Sequence, residues 1–319
     1  MTVSSLLFFL VFFFLVVFLN GQCLDDQKKL LLELKSSSSP LSLMSWNATH
    51  DCCEWAGVKC DDSGHVIVLD LFKDDICGRI SDSSTLFNLT YLSQRLHHNG
   101  QIEDSPIANN STLLFLDLSS IRIEGHVPNF FFQFRSMIIL ELSTNFFSAV
   151  FELDRIPSLA NLSEIILSNN NLSVDTSTAS PTSYGYPRIY TFQMSSCNLY
   201  DFPDLRNLSL SELDLSNNYI GGDIPSWIWE MELVSLNLSL NLLTDFQKPY
   251  HISYSINTID LHSNRLRCEL PLLSEAFEFG YAYLFLANSS LTGAIPTSIC
   301  IRSRRLLDLS FNNLTGSIP

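Results

Sequence analysis

The stretch LSELDLSNNYIGGDIP, residues 210–225, contains the pattern that decides the fold. Apolar residues stand at relative positions 1, 4, 6 and 11, Asn at 9, Gly at 13, an aliphatic residue at 15 and Pro at 16. Related copies, 21 to 27 residues apart, start at Val66, Leu89, Leu113, Met137, Leu162, Ile189, Leu210, Leu233, Ile256, Tyr281 and Arg304. Such a period, held over about 240 residues, indicates a solenoid rather than a compact globule.

The alternation at positions 4 and 6 predicts a short strand with its apolar side chains inward. One repeat cannot bury its apolar side alone, so Leu236 and Leu238 are expected to stack between the equivalent residues of the repeats before and after. A period near 24 leaves too few residues for a full α-helix on the outer side. The predicted fold is an α/β repeat solenoid with a parallel β-sheet on the concave face and 3₁₀ or extended segments on the convex face.

Position 9 is predicted to carry a buried amide that satisfies backbone groups where the strand turns away. Its asparagines are Asn145, Asn170, Asn218, Asn241, Asn264 and Asn312. Cys197 takes the same place, which favours a buried free thiol over a reactive one. The repeat over 89–112 is degenerate, since Gln94, His97 and Asn99 stand where apolar, Asn and apolar residues are expected.

Composition and charge narrow the functions that this chain can have. Leu, Ser and Asn supply 121 of the 319 residues, a bias that suggests repetition. The formal net charge is −15, which disfavours a surface that tracks nucleic-acid phosphates or an anionic membrane. A hydrophobic content of 46% is enough for a sizeable core.

The N-terminus predicts export. Leu6 to Leu19 is an unbroken run of 14 apolar residues, too short to span a bilayer but suited to the core of a signal peptide over residues 1–22. An uncleaved anchor or a buried helix is the alternative. No other stretch reaches transmembrane length.

Four of the eight cysteines crowd near the start of the mature chain, at Cys23, Cys52, Cys53 and Cys60. The Cα atoms of adjacent cysteines are only ~3.8 Å apart, so Cys52 and Cys53 take separate partners and two pairings remain open. A zinc site would need reduced thiolates, which an exported chain disfavours, and no cofactor or metal is implied. Nothing in the sequence pairs the others, Cys77, Cys197, Cys268 and Cys300.

The repeat phasing resembles that of plant-specific leucine-rich repeats. Residues 23–65, with Trp46, Asp51-Cys52-Cys53, Trp55 and Cys60, resemble the N-terminal cap of plant receptor-like proteins and receptor kinases. DLSNN at 214–218 and IPSWIWE at 224–230 are typical of the receptor-like proteins. The resemblance implies bridges from Cys23 to Cys52 and from Cys53 to Cys60, followed by about eleven repeats over residues 66–319.

Both ends of the solenoid need cover. A helix carrying Leu30, Leu31 and Leu34 is expected to close the first edge. The chain stops at Pro319 without the family's C-terminal cysteine cap, a juxtamembrane region or a kinase. It is therefore expected to be the N-terminal part of a longer product.

Several side chains are candidates for surface roles. Glycosylation sequons occur at Asn47, Asn88, Asn109, Asn110, Asn161, Asn171, Asn207, Asn237, Asn288 and Asn313. Asn237 and Asn288 fall on the strand face, where glycans would keep a protein partner away. An outward aromatic cluster on the same face makes candidate ligand contacts of His262, Tyr283, Phe285 and Phe311.

Position 5 carries a row of acids, for which a solvated face is favoured over a site for a basic ligand. They are Asp70, Asp117, Glu141, Asp214, Asp260 and Asp308. No nucleophile motif, zinc motif or phosphate-binding glycine loop is present, so no enzyme is predicted.

The resemblance implies the extracellular ligand-recognition module of a plant cell-surface receptor-like protein, in defence through pathogen perception or in development. It would bind a protein or peptide ligand and signal through a co-receptor kinase, with membrane attachment only through a segment that this chain lacks. It would be secreted if it truly ended at Pro319. The alternatives are a secreted inhibitor of a cell-wall-degrading enzyme, similar to polygalacturonase inhibitors, and a truncated receptor-kinase ectodomain.

Overall fold

The computed structural model describes residues 22–37, 45–70, 93–95, 100–101, 113–120, 122–174, 187–248, 253, 255–269, 283–295 and 306–318. The predicted signal peptide, except for its last residue, lies outside them, as do Asn88, Asn109, Asn110, Cys77 and Cys300. Within the described part, no helix has the length and apolarity that crossing a membrane requires.

A sheet of twelve strands runs through the described part of the chain. All neighbouring pairs are parallel except β1 and β2. Its strands in spatial order are β1 (Val58–Cys60), β2 (Val66–Asp70), β3 (Ser93–Arg95), β5 (Phe115–Asp117), β7 (Ile139–Glu141), β9 (Glu164–Ile166), β11 (Thr191–Gln193), β12 (Glu212–Asp214), β14 (Ser235–Asn237), β16 (Thr258–Asp260), β17 (Tyr283–Phe285) and β18 (Leu306–Asp308).

The predicted alternation of inward and outward residues is confirmed. Leu236, the central residue of β14, is fully buried and lies in register between Leu213 and Ile259. Leu238, at position 6, is also fully buried. From β5 onward, each strand of the main sheet therefore contributes its central side chain to a continuous core and leaves its first and third residues on the other face.

The outer side contains the predicted 3₁₀ segments, at Asn129–Gln133 and Leu153–Ser158. The chain also forms helix α2 (Ser226–Glu230) and two small parallel sheets that the repeat pattern did not predict. One comprises β4 (Gly100–Gln101), β6 (Ile123–Gly125), β8 (Phe146–Phe151) and β10 (Asn171–Val174), and the other pairs β13 (Gly221–Ile224) with β15 (Leu242–Phe246).

The phasing of one repeat needs correction. The strand register places Gln94 opposite Leu69 and Leu116, which both stand at position 4. This repeat is therefore counted from Tyr91, two residues after the predicted start at Leu89. A polar residue at position 4 still marks it as degenerate, while His97 and Asn99 lie outside the described residues.

The N-terminal cap covers the first edge of the sheet. Helix α1 (Asp25–Ser37) buries Leu31 and Leu34, and its Gln27 Oε1 accepts a hydrogen bond of 2.6 Å from the backbone N–H of Val66 in β2. The disulfides join Cys23 to Cys52 and Cys53 to Cys60, the pairing that the family resemblance implies. A short 3₁₀ helix, Cys52–Glu54, leads into β1, which pairs antiparallel with β2.

The two tryptophans of the cap form its core. Trp46 and Trp55 stack with ring centroids 5.1 Å apart, and both are buried. The indole N–H of Trp46 donates to the carbonyl of Ala56 at 3.0 Å. The cap therefore folds around its own aromatic pair as well as against the sheet.

Asparagine side chains bridge successive repeats at position 9, as predicted. Asn218 is representative: its Nδ2 donates to the carbonyls of Met194 (2.8 Å) and Leu215 (2.9 Å), and its Oδ1 accepts from the N–H groups of Cys197 (2.9 Å) and Leu199 (3.0 Å). Corresponding bonds are made by Asn145, Asn170, Asn241, Asn264 and Asn312. One buried amide thus satisfies groups in two adjacent repeats.

The residue just before position 9 adopts a left-handed backbone conformation. Position 8 has φ between 52° and 60° in nine repeats, in Ser120, Thr144, Asn169, Ser196, Asn217, Leu240, Ser263, Asn288 and Phe311. This single residue reverses the chain direction at the end of the strand. It turns the next side chain, at position 9, into the core.

Replacing Asn218 with Ala should destabilise the fold by roughly 3 kcal/mol, because four backbone groups lose their partner in a buried place. Cys197→Ala is the matched control. The Cys197 thiol only donates weakly to the Leu167 and Ser195 carbonyls, so its loss should cost about 1 kcal/mol. Urea unfolding of both variants measures their losses in the free energy of unfolding. Equal losses would contradict a bridging role for the Asn218 amide.

Ala149 occupies the position-13 place that Gly125, Gly222, Gly293 and Gly316 take in other repeats, and its φ of 113° is strained for a residue with a side chain. Ala149→Gly should therefore stabilise the protein by about 1 kcal/mol. The reverse change, Gly222→Ala, should cost a similar amount, although nothing lies within 4 Å of the added Cβ. Melting temperatures that move the same way in both variants would refute this explanation.

Candidate ligand-binding face

The outward residues of the strands form two rows across the sheet. The register aligns Thr258, Tyr283 and Leu306 in one row. It aligns Asp260, Phe285 and Asp308 in the other. These rows occupy positions 3 and 5, and together they make a continuous surface that we call the strand face.

Three of the four candidate contact residues lie on or just after two adjacent strands of the strand face. Tyr283 and Phe285, both half-buried, are the outward residues of β17. His262 follows the neighbouring strand β16, and its Nδ1 lies 2.6 Å from Oδ1 of Asp260. The fourth, Phe311, is 83% exposed and sits in the left-handed turn after β18, at the rim of the strand face.

The position-5 acids close the turns at the strand ends. Oδ1 of Asp214 accepts from the N–H of Ser216 at 2.9 Å, and Asp117, Glu141, Asp260 and Asp308 make the same bond two residues along the chain. The hydroxyl and N–H of Ser310 hold the pKa of Asp308 below its usual value, with His262 adding a smaller effect. Sequence reasoning missed the role of these acids in closing the turns. The side chain of Asp70 lies outside the described residues.

Glu141 differs from the other acids of the row. Burial raises its pKa above the usual value, and the nearby charges of Asp117 and Glu164 raise it further, while hydrogen bonds from Ser143 oppose the shift. The folded environment therefore disfavours ionisation of the Glu141 carboxyl group.

Of the sequon asparagines in the described residues, those with exposed side chains are Asn47, Asn161, Asn171, Asn207, Asn288 and Asn313. Asn237 is half-buried on β14, where its Oδ1 accepts from the N–H and hydroxyl of Ser239. Asn288 lies in a left-handed turn with its Nδ2 3.0 Å from the hydroxyl oxygen of Ser263. Glycan occupancy of these sites stays a prediction.

Ligand atoms of Cys23, Asp51, Cys52 and Cys53 lie within 4.8 Å of one another. All three cysteines are consumed in disulfides, which leaves no thiolate for a metal. Asp51 Oδ1 instead accepts from the N–H groups of Cys23 and Cys53, both at 3.0 Å. The group is a structural cap.

The free thiols of the described part are Cys197 and Cys268. Burial raises their pKa to about 11 and about 12 respectively, with the charge of Asp245 adding to the shift at Cys268. Both thiols are therefore held in the protonated form at neutral pH, which disfavours reactivity as a nucleophile.

Comparison with known families agrees with the repeat and the cap. The family described as leucine rich repeat N-terminal domain matches residues 24–61, and the family described as leucine rich repeat matches residues 209–231. The chain has the leucine-rich-repeat fold and is similar to plant receptor-like proteins.

Receptor-like protein 7 of Arabidopsis thaliana is 34% identical over 215 residues, which are 64% of this chain and 20% of the relative. Receptor like protein 27 of the same plant is 34% identical over 229 residues, which are 70% of this chain and 24% of the relative. The chain thus covers about a fifth to a quarter of the length of these receptor-like proteins.

Solved structures share the fold over nearly the whole chain. The complex of PEPR1 with AtPEP1 superimposes with a TM-score of 0.71 at 24% identity, covering 93% of this chain and 43% of that one. The Arabidopsis receptor kinase HAESA, in complex with the peptide hormone IDA and the co-receptor SERK1, gives 0.59 at 26% identity, covering 93% and 59%. A plant ice-binding protein gives 0.59 at 24% identity, covering 94% and 90%, so this fold serves more than one purpose.

Glu141→Gln should stabilise the protein at neutral pH by roughly 0.5 kcal/mol, because it removes a charge that the folded state disfavours. With its folded pKa raised, Glu141 binds its proton more tightly in the folded state. The gain should therefore shrink as pH falls through that pKa. Asp308→Asn is the matched control, because the pKa of Asp308 is lowered rather than raised. This variant should be less stable than the wild type at neutral pH, and the difference should disappear in acid. Thermal unfolding between pH 3 and 7.5 measures both, and parallel pH profiles would contradict the opposite shifts.

Proposed function

We propose that this chain is the extracellular ligand-recognition part of a plant cell-surface receptor-like protein. It binds a peptide or protein on the strand face and acts in defence through pathogen perception, or in development, with a partner receptor kinase passing on the signal. The chain enters the secretory pathway, carries N-glycans and functions at the outer side of the plasma membrane. Its mechanism is binding alone.

The observation that carries this proposal is the side chain at position 5 of β17. In six of the nine strands from β5 to β18 on the main sheet, this position carries an acceptor that closes the following turn, and Asn237 belongs to this set with the five acids. Phe285 has no such acceptor. Ile166 and Gln193 also lack the turn bond, but an aromatic side chain on this face is of the kind that anchors a partner, which supports contact of Phe285 with a ligand.

The surroundings of Phe285 suit a peptide. Register places the carboxylates of Asp260 and Asp308 on either side of the ring, and Tyr283 precedes it on the same strand. An apolar anchor flanked by acids matches a peptide with one apolar side chain next to basic groups. The structure of HAESA in complex with the peptide hormone IDA, which is 26% identical to this chain, supports a peptide as the ligand class.

The test starts from the full chain, secreted by plant cells and immobilised. Peptides retained from apoplastic fluid are identified by mass spectrometry and synthesised, and their Kd is measured by calorimetry for the wild type and for Phe285→Ser. We expect Phe285→Ser to weaken binding at least tenfold, the loss of one buried aromatic anchor.

Tyr200→Ser is the matched control, because Tyr200 is an exposed aromatic residue that lies outside the strand face, stacked on Tyr219. It should bind as the wild type does. Equal Kd values for Phe285→Ser and the wild type, or retention of no peptide, would overturn the proposal. Inhibition of a fungal polygalacturonase by the chain, measured through released reducing ends, would favour the enzyme-inhibitor alternative.

A further inference from the structure

A cleft of about 800 Å³ opens beside the amino-terminal ends of β11 and β12. This edge of the sheet is opposite the asparagine bridges, which follow the carboxyl ends of the strands. The end of α2 forms one wall, and the residues just before β11 and β12 form the other. The cleft is therefore separate from the strand face described above.

Two aromatic side chains line this cleft, Tyr190 and Trp227. Tyr190 is half-exposed, yet its backbone is held on both sides, since its N–H donates to Ser163 and its carbonyl accepts from Ser211 and Glu212, all at 2.8 Å. Trp227 is half-buried on α2, whereas Trp229 two residues later is fully in the core. The cleft thus presents aromatic surface from a rigid frame.

Charged groups of both signs surround these rings. Arg206 forms a bidentate pair with Asp204, with Nε to Oδ1 at 2.9 Å and Nη2 to Oδ2 at 2.6 Å, which leaves other guanidinium N–H groups available. Arg188 is exposed and makes no ion pair with any described residue. Glu230 and Glu232 complete the rim.

This charge balance decides against an anionic ligand. Three carboxylates stand near two guanidinium groups, so a phosphate or sulfate would meet net negative charge. Paired donors and acceptors next to aromatic rings instead suit a neutral ligand with many hydroxyl groups. A sugar ring has this chemistry, because its C–H face stacks on aromatic rings and its hydroxyl groups bond to charged side chains.

One glycosylation sequon lies in the wall of the cleft, and a glycan attached to it would supply such a sugar. Asn207, exposed in a turn, stands between the lining residues Arg206 and Leu208, and Ser209 completes the sequon and also lines the cleft. We propose that this cleft binds carbohydrate, and that its occupant is the N-acetylglucosamine core of a glycan on Asn207. The glycan is thereby packed against the protein rather than projecting into solvent.

The four tryptophans provide a direct test. Trp46, Trp55 and Trp229 are each at most 4% exposed, so acrylamide quenching of tryptophan fluorescence in the folded chain reports mainly on Trp227. The full chain is secreted from plant cells, and glycan occupancy at Asn207 is measured by peptide mass spectrometry. We expect low quenching in the wild type and at least a twofold higher quenching constant in Asn207→Gln.

Two further variants control the assay. Asn161→Gln removes an exposed sequon that does not line the cleft, and it should leave the quenching unchanged. Adding Trp227→Phe to Asn207→Gln should return the quenching to a low level, which assigns the signal to Trp227. Occupied Asn207 with equal quenching in Asn207→Gln and wild type would overturn the proposal.

If Asn207 is not glycosylated, the same assay uses a soluble tetramer of β-1,4-linked N-acetylglucosamine as the probe. Protection of Trp227 by this probe, abolished in Tyr190→Ser, would support the carbohydrate site and show that its sugar comes from outside the chain. No protection would overturn the site altogether. A negative result here leaves the peptide-binding test on Phe285 unaffected, because the two surfaces share no residue.

Discussion

The side-chain amide at position 9 is the interaction on which the rest of the solenoid depends. After each of the nine strands from β5 to β18 on the main sheet the chain reverses through a left-handed residue, and the backbone groups on the inner side of that turn are cut off from water. An amide has both a donor and an acceptor, so one Asn side chain bonds to its own turn and to the turn of the preceding repeat. Since this bond spans adjacent repeats, it fixes their relative register, and the register in turn aligns the rows of the strand face.

Much of the fold could be predicted from the spacing of apolar residues, because each repeat buries the same positions against its neighbours. The buried row of inward side chains and the bridging asparagines at position 9 follow from that spacing alone. The antiparallel strand β1 and the two small parallel sheets could not, because no repeated apolar spacing marks them. The start of the degenerate repeat could not be predicted either, because Leu89 is apolar and fits position 1, whereas the strand pairs through Gln94, which gives no hydrophobic signal.

The candidate site was predictable only in part. Register alone places Tyr283 and Phe285 on the strand face with His262 beside them, since alternation along a strand determines which residues point outward. It could not place Phe311, whose left-handed turn takes it off the strand to the rim. The cleft at Tyr190 and Trp227 had no sequence signal, because residues from 188 to 232 meet there only after the outer segments fold back to the sheet.

The two outward positions of each strand are not equally free to vary, and this shapes how such a surface can acquire specificity. Position 3 holds Glu212, Thr258, Tyr283 and Leu306 in different repeats, since nothing in the turn depends on its side chain. Position 5 must usually supply the acceptor for the turn, so replacing Asp214 by an apolar residue would remove a hydrogen bond as well as change the surface. A new contact at position 5 therefore costs stability, whereas one at position 3 does not. Position 3 can accordingly vary at less cost to stability, and under the proposed function Phe285 marks a repeat where ligand contact compensates for the absent turn bond.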